Sequence, residues 1–435
     1  MVSTHIKKFD TLVVGGGIAG LQTALDLGDQ GYKVAIVEKD ASIGGKMIRL
    51  SKVFPTLDCA SCITTPKMSA AAHHKNIPLF TYCNLTSLDH DTSNEALGVK
   101  AVIIQNPRYV DPDKCIGCRQ CEYVCPIYVS DEEQGGLSAT KAISIPFSNA
   151  IPQLPIMDIE NCMLCGQCEK VCPTNAIDYF QKPEEFIIQA KTAIITTGFE
   201  LLPKEDNFQY GSGKIPNVVD SLQMERLLAP HGPYNRVLRP SDGMEPDSIA
   251  YVQCAGSRDK SMGVPYCSRV CCMYAIKQAM LLSGSLPLAD ITIYYMDIRA
   301  FGKGYEQFYQ NAKAMGIEFI KGKVARIDAG ENGSAIVRYE NQDGSGIVTA
   351  NHDLVVLSMG MIPGWNPAPI CPVSKDSDHF ITSIKPKISP VLTNMNDFFV
   401  AGAAAGPKDI VDTVTESGSA AMEAAKFMSN SIMEN

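Results

Sequence analysis

The sequence predicts an α/β protein built from two dinucleotide-type units, with a small α+β domain inserted into the first. Three observations carry this. Residues 11–38 read as a β-run, a glycine turn, a helical stretch and a second β-run that ends on an acid. A second alternation of β-runs and helical stretches starts at Ser248 and runs to Ile320. Between them, residues 115–126 and 162–173 repeat one cysteine spacing twice.

The bulk numbers exclude several classes. A length of 435 residues is enough for two or three domains with substantial cores. A net charge of −9 with no basic tract argues against a nucleic-acid partner. No stretch of about 18 apolar residues occurs, so no membrane span is expected. Lys7 and Lys8 lead straight into a β-run, without the apolar stretch and cleavage site of a signal peptide. Sixteen cysteines, eight of them in the two repeated runs, point to a reducing cytoplasm.

In the first unit, Thr11 to Val14 feeds Gly15, Gly16, Gly17 and Gly20, and Val34 to Val37 ends at Glu38. Gly15 makes the tight turn and Gly17 admits a pyrophosphate to the backbone. Gly20 lets helix and strand pack closely, and Glu38 accepts from ribose hydroxyls. Gly44 and Gly45 resemble the second glycine pair of FAD proteins. Residues 193–199, with Gly198, and 397–402, with Gly402, resemble their later strand signatures. A plain NAD-binding unit explains none of these three additions, so FAD is the expected cofactor. Cys59 and Cys62 follow, as a redox dithiol, as cluster ligands or as free thiols.

Cys115, Cys118, Cys121 and Cys125, then Cys162, Cys165, Cys168 and Cys172, fit the bacterial ferredoxin spacing, each run closing on a proline. In that pattern the fourth cysteine ligates the other cluster. The assignment is therefore Cys115, Cys118, Cys121 and Cys172 for one 4Fe–4S cluster. Cys162, Cys165, Cys168 and Cys125 take the other. Zinc sites pair two Cys-x-x-Cys knuckles and do not repeat three-plus-one before proline. The acidic loop 131–133, with Gly135 and Gly136, reads as solvated. Cys83 and Cys371 read as core.

The second unit lacks a glycine fingerprint, so pyrophosphate has no cradle there. Cys254, Cys267, Cys271 and Cys272 fall within nineteen residues instead. A third cluster, a redox thiol pair or buried core cysteines are the readings open to them. Near the end, Ala403 stands where many flavoproteins carry aspartate, and Lys408 is a candidate neighbour of the flavin ring. The expected organisation is 1–105, 186–247 and 353–435 for the FAD unit, 106–185 for the insert, and 248–352 for the second unit.

Taken together, the glycine fingerprint, residues 56–67, both ferredoxin runs, residues 254–258 and 266–272 and residues 406–410 resemble the A-type subunits of heterodisulfide reductase. The resemblance implies a thioredoxin-reductase-like flavin fold with an inserted ferredoxin domain. It implies FAD as the hub that collects or splits electron pairs, with flavin-based bifurcation as one use. It also implies partner subunits of the heterodisulfide reductase B and C type, linked to a hydrogenase or dehydrogenase, and a homodimer within the complex. Lys408, Cys59 and Cys62 are the residues assigned to chemistry. A self-contained disulfide or sulfur reductase using Cys59 and Cys62, or a pure electron relay, are the competing functions.

Overall fold

The computed structural model describes residues 5–90, 98–341, 346–367 and 370–433. The first unit is built on five parallel strands in the order Phe398–Val400, Thr192–Ile195, Thr11–Val14, Val34–Val37 and Leu79–Phe80. Thr11–Val14 and Val34–Val37 are buried along their whole length. A parallel sheet covered on both faces demands such unbroken apolar runs. Helices Ile18–Asp29 and Ile410–Met433 share one core with this sheet through Leu21, Leu27, Ala420, Ala424 and Met428. A second, four-stranded sheet covers the opposite face, through Ile103, Phe186 and Ile188. Its order is His5–Lys8, Glu184–Ala190, Val99–Gln105 and Cys83–His90.

The insert leaves and returns through that second sheet. Gln105 lies opposite Glu184 in an antiparallel pair, so the residues between them project as a hairpin carries its loop. Inside are two short helices, Gln120–Val124 and Gln167–Val171. Each follows a loop with the same backbone. Gly117 and Arg119 in the first loop, and Leu164 and Gly166 in the second, all take positive φ. Val110, Ile143, Met157 and Ala176 make a small core against the cysteines.

The second unit is a seven-stranded sheet. Its parallel part runs Val218–Asp220, Leu354–Met359, Ser248–Ala255, Asp290–Tyr295 and Glu318–Ala329. Ala335–Asn341 and Gly346–His352 extend it as an antiparallel meander. This corrects two expected boundaries. Leu354–Met359 pairs with Ser248–Ala255, so the flavin unit does not resume at 353. Val218–Asp220 and helix Ser221–Leu228 also belong to the second unit, ahead of the expected start at 248. The physical reason is that a buried parallel strand is an apolar run in either sheet, and the run alone does not say which sheet accepts it.

The acidic loop of the insert is a second correction. It is a clamp, not a solvated loop. Glu133 holds Arg49 of the first unit at 2.7 Å. Arg226 of the second unit donates to Gln134 at 2.9 Å, and Gln223 donates to the Gly135 carbonyl at 2.8 Å. The three bodies therefore meet at this loop.

Candidate functional site

A cavity of about 530 Å³ opens beside the glycine turn. Gly15, Gly17, Glu38, Gly45, Gly198, Ala403 and Lys408 all line it. The turn has no room for side chains. A Cβ on Gly45 would stand 2.8 Å from the Gly17 Cα, and one on Gly20 would stand 1.9 Å from the Gly15 carbonyl oxygen. Helix Ile18–Asp29 starts at Gly17, so its free N–H groups and positive dipole end face the cavity. Lys39, Lys46, Arg49 and Lys52 add positive charge to the wall. This is a cradle suited to the pyrophosphate of a dinucleotide.

Glu38 is buried and accepts from the N–H of Gly16 at 2.6 Å and of Asp40 at 2.9 Å. Burial, helped by the charge of Asp40, pushes its carboxyl up to about 7 against those two N–H bonds. Gly20 and Gly44 serve packing. A Cβ on Gly44 would meet Met68 and Ile48 at 3.0 and 3.1 Å. The Gly402 N–H donates to Glu416 at 3.1 Å, and the same Glu416 oxygen accepts from Lys408 at 2.5 Å. Lys408 thus reaches the cavity already ion-paired.

The cavity continues to the second unit, which sequence reasoning did not foresee. Ser221, Glu225, Val270, Tyr274, Lys277 and Gln278 form that wall. Lys277 and Glu225 are a buried ion pair, with side chains 2% and 3% exposed. Glu225 also accepts from Ser51 N–H and Oγ, and Lys277 donates to the Lys52 carbonyl at 2.9 Å. These bonds tie the second unit to the first. Trp365, the single tryptophan of the chain, lines the cavity too.

The ferredoxin cysteines border two hollows. Cys115, Cys118, Cys121 and Cys172 surround one. Cys162, Cys165, Cys168 and Cys125 surround the other. The fourth cysteine of each run therefore stands with three from the other run. Backbone N–H groups point at sulfur in both, from Gly117 to Cys115 at 3.5 Å and from Leu164 to Cys162 at 3.4 Å. Among the described residues no three His, Cys, Asp or Glu side chains close on one point as a single metal ion requires. A 4Fe–4S cube takes one thiolate at each corner, a wider arrangement that these hollows fit.

In the second unit, Cys254 is the last residue but one of strand Ser248–Ala255, and Cys271 and Cys272 open helix Cys271–Ser285. Cys254, Cys271 and Cys272 are free, buried thiols that lie close enough to act on one another electrostatically. The hydrogen bond from Cys271, with Arg258 adding to it against burial, brings Cys254 down to about 7. Cys267 is half-buried on the loop before the helix and accepts from Arg269 N–H at 3.3 Å. Cys254 takes φ 57, costly for a residue with a Cβ. The amide groups of Gln253 and Asn207 are buried nearby without partners. Cys59 caps helix Ala60–His73 and accepts from Cys62 N–H at 3.3 Å. Neither Cys59 nor Cys62 lines the cavity.

Known proteins share these parts. Residues 10–58 match the family described as FAD dependent oxidoreductase, and residues 111–176 match the 4Fe-4S dicluster domain. The A subunit of the H(2)/formate:CoB-CoM heterodisulfide,ferredoxin reductase of Methanococcus maripaludis is 45% identical over 96% of this chain and 64% of its own length. The A subunit of the Ferredoxin:CoB-CoM heterodisulfide reductase of Methanosarcina mazei is 40% identical over 98% of this chain and 54% of its own. The chain is a homologue of the A-type subunits of heterodisulfide reductase. It spans between about half and two thirds of the length of these relatives. Its fold is that of thioredoxin reductase. The T. acidophilum enzyme superposes with a TM-score of 0.54 at 15% identity, covering 98% of this chain and 99% of that one. Thioredoxin reductase of Lactococcus lactis gives 0.53 at 15% identity, over 97% of this chain and 99% of that one. This homologue combines an FAD domain with a 4Fe–4S domain. Among its described residues no helix is long and apolar enough to cross a membrane.

Proposed function

We propose that this chain is an electron-transferring flavo-iron–sulfur subunit of a heterodisulfide-reductase-like complex. One observation carries the reading. The helix that opens with Cys271 and Cys272 also presents Tyr274 and Lys277 to the cavity that begins at the glycine turn. The helix that begins with two cysteines thus forms part of the wall of the dinucleotide cavity. Cys254, Cys267, Cys271 and Cys272 hold a third 4Fe–4S cluster in this reading, beside the two of the insert. The burial of Cys254, Cys271 and Cys272 beside one another at the strand end and helix start supports it. When bound, FAD supplies two-electron storage with release of single electrons.

The chain's own residues bind and tune. Gly15, Gly17 and Gly45 admit the pyrophosphate, Glu38 takes the ribose, and Lys408, paired with Glu416, adds a cation to the cavity lining. Partners of the B and C type, linked to a hydrogenase or dehydrogenase, supply the terminal chemistry in a cytoplasmic assembly that contains the chain as a homodimer. The dithiol alternative draws no support from the cavity, since Cys59 and Cys62 stand outside its lining.

The test is reduction of the purified, FAD-loaded chain without partners. A one-electron donor should bleach both flavin and clusters. NADH and NADPH should not, because the second unit has no glycine cradle for their pyrophosphate. Rapid bleaching by stoichiometric NADH would overturn the reading.

A further inference from the structure

The two hollows of the insert are alike in backbone and different in their sulfur donors. Around the first, the crossed cysteine Cys172 accepts from Ala176 N–H at 3.2 Å, and the Thr174 hydroxyl lies 3.7 Å from its sulfur. Around the second, the crossed cysteine is Cys125. Among the described residues no donor reaches its sulfur, which lies 3.7 Å from the Ile127 carbonyl oxygen. That hollow has a phenol instead. Tyr179 lines it, and its hydroxyl lies 3.3 Å from the Cys168 sulfur.

We infer that Tyr179 sets the potential of the cluster held by Cys125, Cys162, Cys165 and Cys168, separately from that of its neighbour. The inference rests on the reading of the insert as a two-cluster domain. A ligating cysteine is a thiolate and carries no proton, so the Tyr179 hydroxyl must donate. Reduction adds one electron to the cluster, with no bond made or broken, and part of the added charge falls on the ligand sulfurs. A donor aimed at that sulfur is worth more to the reduced form, and hydrogen bonds to sulfur are among the levers that set cluster potentials. The chain segment is fixed for this. Asp178 N–H bonds the Tyr109 carbonyl at 3.1 Å, and Ile177 bridges Val110, so Tyr179 leaves an anchored backbone.

The experiment is an EPR-monitored redox titration of the full chain, with iron counted in each sample. In Tyr179→Phe one insert cluster should shift to lower potential while the other stays. Loss of one charge-assisted bond predicts a roughly tenfold change in its reduced-to-oxidised ratio, which is about 59 mV for one electron. Thr174→Val should shift the other cluster, and by less, because its contact is longer. Full iron with both potentials unmoved in Tyr179→Phe would overturn the inference. So would iron lost from Tyr179→Phe alone, which would make the phenol a support for the loop. A wild-type insert without iron would instead sink the reading on which the inference rests.

Discussion

The two dinucleotide-type units each pass from a central strand to a helix, and they do so with different chemistry. In the first, Thr11–Val14 reaches helix Ile18–Asp29 through Gly15, Gly16 and Gly17. In the second, Ser248–Ala255 reaches helix Cys271–Ser285 through the fifteen residues 256–270. The first turn works by what it lacks. Each missing Cβ leaves room for backbone to approach a phosphate or another glycine. The second turn is long, carries Cys267, and is flanked by Cys254 on the strand and by Cys271 and Cys272 on the helix. Both helices still offer a positive N-terminal end, which favours a bound anion in either place. One position in the fold is therefore compatible with two ligand classes, and the side chains of the turn choose between them. A pyrophosphate needs their absence, and a thiolate-ligated cluster needs four thiols from the turn and its two flanks.

The largest expected effect falls on the first turn. Gly20→Val puts a branched side chain where even a Cβ stands 1.9 Å from the Gly15 carbonyl. Helix and strand must separate, and the cradle opens. The variant should retain no FAD after desalting, measured by flavin absorbance and by loss of quenching of Trp365, which lines the cavity. Iron in the insert should be spared, because the insert has a core of its own. A variant that keeps stoichiometric flavin would break the comparison at its root.

Next in size is the junction between the units. Glu225→Gln leaves Lys277 as a buried, unpaired cation, and breaking a buried pair in this way costs about 3–5 kcal/mol. The loss should appear as a lower denaturant midpoint. Lys277→Met should cost less, because Glu225 keeps Ser51 and Gln278 as donors. Equal effects from the two changes would argue against an ion pair as the tie between units.

Under the proposed reading, a change at the cysteines that flank the second turn should be felt by iron instead of flavin. Cys271→Ser should reduce total iron by about one third, from three clusters to two, while flavin content holds. Unchanged iron would return Cys254, Cys267, Cys271 and Cys272 to the status of buried thiols. It would also make the two turns differ in sequence only.

How much of this was readable beforehand follows from sequence distance. Gly15, Gly17, Glu38 and Gly45 lie within 31 residues of one another, inside one motif, and they line one cavity. The parallel β-runs were legible because burial on both faces leaves no polar positions. Membership of a sheet was not, and Leu354–Met359 shows why. Its six residues are all buried, and such a run fits either parallel sheet equally well. The far wall of the cavity was hidden for a related reason. Glu225 stands on a short helix with several polar residues, Lys277 is the single charged residue of a mostly apolar one, and nothing local says that the two meet each other, Ser51 and Lys52. The clamp at Glu133 was misread because acidic residues beside two glycines are solvated in most loops, and it is Arg49, Gln223 and Arg226, far away in sequence, that make this one an interface.

The smallest effect separates the flavin's own charge environment from its wiring. Lys408 lines the cavity, but its charge is shared with Glu416, which also holds the Gly402 N–H. A cation near a flavin stabilises the charge that reduction adds, because the added electron density is met by a fixed positive group. Lys408→Ala removes that cation and leaves the Glu416 carboxylate in place, so the two changes in local charge act in the same direction. The flavin potential should fall. Glu416→Gln does the reverse. It frees the Lys408 charge, keeps an acceptor for Gly402, and should raise the potential. The pair is read by spectroelectrochemical titration of the flavin band, with cluster potentials followed by EPR in the same samples. Opposite shifts of the flavin, with all clusters unmoved, are the expected outcome. Shifts of one sign in both variants, or none in either, would place Lys408 too far from the ring to matter and leave it as a partner that fixes the start of helix Ile410–Met433.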